Sequence, residues 1–226
     1  MTTTRDKMLN SLLTSTMNRR RMLINAGIVG GSVAAMGTLG SVGAQTNATP
    51  AADAGAGVAF QNPVEVLNFA LTLEHLEAAF YRDGLAQFGV EGITALGFQQ
   101  SVFDSLNEIA QHEVTHVDTL TQVITDLGGQ PVAEAQYDFG YADAAGFLTT
   151  AQALEDTGVS AYQGAASSLI ESDELLTAAL TIHAVEARHA AYLALLNAMI
   201  PFPEAFNPTL TPNQVLEIAG PFIVSQ

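Results

Sequence analysis

Apolar residues recur at alternating steps of four and three along four long stretches of the chain. Near its middle each stripe is interrupted by acidic or imidazole side chains. The first stripe is Leu67, Leu71, Glu74, Ala78, Tyr81, Leu85 and Phe88, and the second is Val102, Leu106, Ile109, Glu113, His116, Leu120, Val123 and Leu127. The third is Leu148, Ala151, Glu155, Val159, Tyr162, Ala166 and Leu169, and the fourth is Leu175, Ala179, Ile182, Glu186, His189, Leu193, Leu196 and Ile200. Such steps keep side chains on one face of a helix, so the pattern predicts an all-α protein whose four seams meet in a common core.

Boundary signals frame each stretch. Asn62 as a cap, Pro63 in the first turn and Glu65 as a capping-box partner start the first helix, expected to reach about Phe88. The second is expected from about Gln99 to Leu127, stopped by Gly128 and Gly129, and the third from about Asp143 to Ile170. The fourth is expected from Asp173, behind a Ser172 cap, to Ile200 before Pro201. Pro203, Pro208 and Pro212 then predict an irregular cover with a short helical turn over 214–219. Short links make each sequential pair of helices an antiparallel hairpin. The link over 128–142 is about 15 residues and spans roughly 50 Å when extended. That is enough to return along a helix of about 42 Å, making the second and third helices parallel.

The interruptions repeat. The first and third helices each carry Glu followed seven residues later by Tyr (Glu74 and Tyr81, Glu155 and Tyr162), while the second and fourth each carry Glu-x-x-His (Glu113 with His116, Glu186 with His189). Two hairpins related by a pseudo-twofold would bring all four motifs together, and a Glu-x-x-His pair can direct both side chains at one ion. A seam carboxylate is costly to desolvate unless paired or bound to a cation. Only Arg82 and Arg188 supply positive charge after residue 21, both beside the seams, and there are no cysteines for thiolate ligation. Two divalent cations would balance Glu74, Glu113, Glu155 and Glu186, with His116 and His189 as neutral donors. His75 and Glu77 read as a rim pair, Glu77 being the substitute should Glu74 not bind. His183 reads as packing or support near Glu186, with an extra ligand role open. His112 reads as exposed, and the two tyrosines as seam fillers whose hydroxyls reach a carboxylate.

Composition changes the picture at the N-terminus. Five of the seven basic residues precede residue 22, and Asn18-Arg19-Arg20-Arg21-Met22-Leu23 leads into a Gly- and Ala-rich run ending near Val42-Gly43-Ala44. Residues 1–44 read as a twin-arginine export signal with a small-residue cleavage site, 45–61 as a flexible linker and 62–226 as one helical domain with its cover. The run's glycines make it weakly apolar, so no stable membrane anchor is expected after cleavage. From Gln45 onward 22 acidic residues face two basic ones, a formal charge of −20. Nucleic-acid binding is thereby excluded as an expectation.

On Leu73-Glu-His-Leu-Glu-Ala-Ala-Phe-Tyr81, His112-Glu-Val-Thr-His116, Glu155 through Tyr162, Val185-Glu-Ala-Arg-His189 and the end from Leu210 to Ile223, the chain resembles the ferritin-like superfamily over roughly 62–220. Within it, the chain resembles the exported proteins that include desiccation-related ones. The resemblance implies a ferritin-like four-helix bundle with a long crossover between its second and third helices. It also implies Glu74, Glu113, His116, Glu155, Glu186 and His189 as ligands of two divalent ions, iron or manganese, with Glu113 and Glu155 among those able to bridge. The expected function is an exported dimetal protein, read as an oxidoreductase acting on peroxide, dioxygen or ferrous iron. The alternative is a non-enzymatic, metal-stabilised stress or desiccation-related structural protein. The expected partner is a small oxidant or metal-ion substrate, and homo-oligomerisation is left open.

Overall fold

The computed structural model describes residues 60–225. The expected export signal and all but the last two linker residues lie outside the described residues. Four long helices, α1 (Pro63–Ala95), α2 (Gln100–Asp126), α3 (Ala144–Ala165) and α4 (Asp173–Leu196), are followed by a short α5 (Pro212–Ala219). A 3₁₀ turn, Ala166–Leu169, prolongs α3. None of the described helices is long and apolar enough to cross a membrane.

The boundary chemistry acts locally. Asn62 Oδ1 accepts from the Glu65 N–H at 3.1 Å, while Glu65 reaches back to the N–H of Gln61 and not to that of Asn62. The expected end near Phe88 is a break and not a terminus. Gly89 takes φ 58°, ψ −172°, a conformation open mainly to glycine, and the helix resumes to Ala95. At the other end of the chain order, α4 stops before Ile200 because Asn197 turns onto α3, its Nδ2 donating to Leu148 O at 3.0 Å and Gln152 Oε1 at 2.9 Å. Ala198 follows at φ 56°.

The crossover runs along α1 from its N-terminal end. Asn68 bonds the backbone of Gln130 and Val132, His75 Nε2 lies 3.2 Å from Val132 O, Arg82 pairs with Glu134, and Tyr141 donates to Phe80 O. Contacts between α1 and α3 run in opposite order, Gly84 against Phe147, Tyr81 against Glu155 and Glu74 against Tyr162. These two helices are therefore antiparallel, and α2 and α3 are parallel. Two short strands that the sequence did not announce, β1 (Gln136–Tyr137) and β2 (Ile223–Ser225), pair antiparallel and tie the crossover to the C-terminal segment.

Because crossover aromatics cover its outer face, α1 is buried well beyond its seam. Phe80 stacks on Phe147 at 5.0 Å and meets Phe139 edge-on. A Cβ on Gly84 would overlap the Phe147 ring. Gly84→Ala is therefore expected to lower stability by about 1–3 kcal/mol through overpacking, read as an earlier denaturant midpoint with an unchanged slope.

Candidate metal centre

Each long helix contributes its seam interruption to one buried cluster at mid-bundle. Glu113, Glu155 and Glu186 have no exposed surface, and Glu74, His116 and His189 are nearly as enclosed. The six side chains fall into two groups, Glu74, Glu113, His116 and Glu186, and Glu113, Glu155, Glu186 and His189; within each, one donor atom per residue lies within 4.8 Å of the others. Glu113 and Glu186 belong to both groups. Glu155 belongs to one only, so the pair placed to bridge is Glu113 with Glu186, not Glu113 with Glu155. The reason lies in the helix partnership: the glutamates next to a histidine, on α2 and α4, sit between the two halves, whereas those of α1 and α3 each lie on one side.

The contacts repeat with twofold character. His116 Nδ1 lies 3.1 Å from Glu74 Oε2 and 3.0 Å from Glu113 Oε2, and His189 Nδ1 lies 3.1 Å from Glu155 Oε2 and 3.0 Å from Glu113 Oε1. Tyr81 donates to Glu155 Oε1 at 2.6 Å, and reciprocally Tyr162 donates to Glu74 Oε1 at 2.5 Å. Each tyrosine thus fixes the carboxylate of the opposite half, which orients a candidate ligand from outside.

The flanking residues divide. His75 fastens the crossover and takes no part in the cluster. His183 is half-buried with Nε2 unpartnered, and lies outside both groups. His112 is exposed as expected, but its ring stacks on His189 at 5.2 Å and its Nδ1 lies 2.9 Å from His189 Nε2. It leaves Nδ1 of His189 to face the carboxylates. Glu77 corrects the sequence reading: it is no rim residue but only 3% exposed, packed beside the cluster. The signal for it was present in α1, whose Leu73, Leu76, Ala79 and Phe80 add a second apolar face beyond the seam.

Electrostatics show what the cluster lacks. Burial, reinforced by Glu186, Glu155, Glu74 and Glu113, holds the Glu77 carboxyl well above its usual range. Burial also raises Glu186, and it raises Glu113 to about 7 against the lowering effect of the adjoining His116 and His189 imidazoles. Burial opposes charge on the imidazoles, yet the adjoining carboxylates of Glu113, Glu186 and Glu74 push His116 up to about 12, and those of Glu113 and Glu155 push His189 to about 9. Protons are thus held where positive charge is wanting. Both oxygens of Glu186 and Oε1 of Glu113 are buried without a hydrogen bond, although imidazole nitrogens stand near. Arg82 is spent on exposed Asp83 and Glu134, and Arg188 is also exposed, so neither enters the core. Unsatisfied carboxylate oxygens beside imidazole nitrogens fit divalent cations of the iron or manganese type, and no thiolate competes.

Comparison with known proteins agrees with the architecture. The family model described as a ferritin-like domain matches residues 62–198. A crystal structure of ferritin-like, diiron-carboxylate proteins from Bacillus anthracis is similar at 23% identity and a TM-score of 0.52, covering 59% of this chain and 94% of that one. No curated protein matches the chain.

Proposed function

Since the chain belongs to the ferritin-like domain family, we propose that its buried cluster holds two divalent ions, iron or manganese, and serves a redox reaction of a small oxygen species. One ion would take Glu74, Glu113, His116 and Glu186, the other Glu113, Glu155, Glu186 and His189. The observation that carries this reading is the sharing of Glu113 and Glu186 between two otherwise separate donor groups. Bound there, the metals supply electron transfer and Lewis acidity toward dioxygen, peroxide or an oxidisable ferrous ion. The chain's own part is positional. Tyr81 and Tyr162 hold the outer carboxylates, His112 holds the His189 ring, and the apolar layers above and below exclude bulk water.

An apolar cavity of about 80 Å³, lined by Thr119, Leu120, Thr181, Ile182 and Tyr162, lies next to the cluster through Tyr162, whose hydroxyl bonds Glu74, and this supports the redox reading. The complete burial of Glu113, Glu155 and Glu186 favours the second reading, a metal-stabilised structural protein of stress or dehydration. Assays of the metal-loaded protein with hydrogen peroxide, and with ferrous ion and dioxygen, separate them. Turnover with either supports the redox reading; a fully loaded protein inert to both assigns the metals to structure.

The same reading places the protein outside the cytoplasm, exported folded through the twin-arginine route, on the strength of Arg19-Arg20-Arg21 and the run behind them. N-terminal sequencing of the exported protein is expected to begin near Gln45. Recovery of a membrane-embedded chain retaining residues 23–44 would contradict export by cleavage.

A further inference from the structure

The two donor groups are matched almost residue for residue. Each offers one imidazole and three carboxylates, with Glu113 and Glu186 common to both, and each outer glutamate is held by a tyrosine of the opposite half. Donor type and number therefore give no reason for one ion to bind better than the other. The difference lies one residue outside them. The duplication that aligns Glu113-Val-Thr-His116 with Glu186-Ala-Arg-His189 sets His112 against Val185. One half of the bundle has an imidazole in front of its Glu-x-x-His pair, and the other has an aliphatic side chain.

That imidazole crosses to the opposite hairpin. His112 Nδ1 lies 2.9 Å from His189 Nε2, with the ring planes 10° apart. His189 turns Nδ1 toward Glu113 and Glu155, at 3.0 and 3.1 Å, so Nδ1 is the nitrogen that an ion held by these carboxylates would meet. A neutral imidazole that gives one nitrogen to a cation carries its proton on the other. The Nε2–H of His189 then donates to His112 Nδ1, which fixes the tautomer, holds the ring and makes Nδ1 the stronger donor. His116 likewise turns Nδ1 toward Glu74 and Glu113. Among the described residues, however, no hydrogen bond reaches His116 Nε2, and Val185 at the matching position has no side-chain group to accept one. Glu77 also departs from the duplication, but it adjoins Glu186 across Gly158, and Glu186 is a donor common to both groups.

We propose that His112 is a positioning residue that makes the two metal positions unequal, so that the ion of Glu155 and His189 binds first and more tightly than the ion of Glu74 and His116. This inference rests on the dinuclear reading above. Losing a supporting partner of a ligand histidine typically weakens metal affinity about 10–100-fold, and that is the separation expected between the two positions. Because His112 is exposed, replacing it leaves the apolar core intact.

Titration of the metal-stripped protein with manganese(II), with the free ion followed by electron paramagnetic resonance, tests this. The wild type is expected to bind in two steps separated by that factor. Crystals given one equivalent of manganese are expected to show their main anomalous peak beside Glu155 and His189. His112→Ala should weaken the first step by the same factor and leave the second nearly unchanged, so that the two merge. His112→Asn, whose Oδ1 can accept in place of Nδ1, should restore the separation, which a loss of packing alone would not do. A single step in the wild type, or a first peak beside His116, overturns the inequality and leaves the dinuclear centre standing. An unchanged separation in His112→Ala, or an Asn variant no better than Ala, overturns the role of His112. A wild type that binds no divalent ion at mid-bundle removes the dinuclear reading and this inference with it.

Discussion

Stripping metal from the protein is expected to lower its melting temperature by about 10–20 °C at pH 8, and by much less at pH 5.5. The size follows from linkage. A ligand at a hundredfold excess over its Kd stabilises by about 2.7 kcal/mol per site, hence about 5 kcal/mol for two, and each kcal/mol moves a domain of this size by about 2–4 °C. The pH dependence follows from the metal-free cluster. The Glu113 carboxyl is raised from 4.5 to about 7, so its proton's contribution to stability is fully present below pH 4.5 and is lost as the pH rises through 7. The protons on His189 and His116, raised from 6.5 to about 9 and about 12, contribute fully below pH 6.5 and are lost above it in turn. Metal-free protein is thus steadied by protons in mild acid and deprived of part of them at pH 8, where metal must replace them. Differential scanning calorimetry of loaded and stripped samples at both pH values provides the check. An equal gap at the two values would contradict proton-for-metal exchange in the core.

The shared glutamates should be the most sensitive positions. Glu113→Ala or Glu186→Ala is expected to reduce tightly bound metal below one ion per chain, because each removes a donor from both groups. Glu74→Ala and Glu155→Ala each touch one group and should leave about one ion bound. Loss of an outer partner alone typically weakens metal affinity about 10–100-fold, so loss of a direct bridging ligand should exceed that. Elemental analysis gives the count, and far-ultraviolet circular dichroism shows whether the helices persist. Retention of two ions by both bridging variants would mean that Glu113 and Glu186 are not shared ligands.

The helical seams were legible because an element buried on one stripe leaves a period of three and four in the sequence. Glu74, Glu113, His116, Glu155, Glu186 and His189 announced themselves as polar interruptions of that period, and the structure brings these six together. Glu77 stands off that period: the second apolar face of α1, Leu73, Leu76, Ala79 and Phe80, signals burial there, but its place beside the cluster depends on Gly158 of α3 opposite it, which the spacing of α1 does not record. The bridging assignment failed for a similar reason: choosing Glu186 over Glu155 requires knowing how four helices stand around one point, which no single seam records. The strand pair over 136–137 and 223–225 joins segments almost ninety residues apart in the chain. Two or three residues of strand carry no periodicity to read. His112 looked like an ordinary exposed side chain, and only the approach of α4 gives its ring a partner.

Anomalous X-ray scattering at the iron and manganese edges, from crystals of protein loaded in its own host, tests the central claim most directly. The account predicts two strong peaks within the bundle, one contacting Glu74 and His116, the other Glu155 and His189, with Glu113 and Glu186 touching both. A single peak, or metal confined to the exposed acidic surface while the six buried side chains bond only one another, would contradict it.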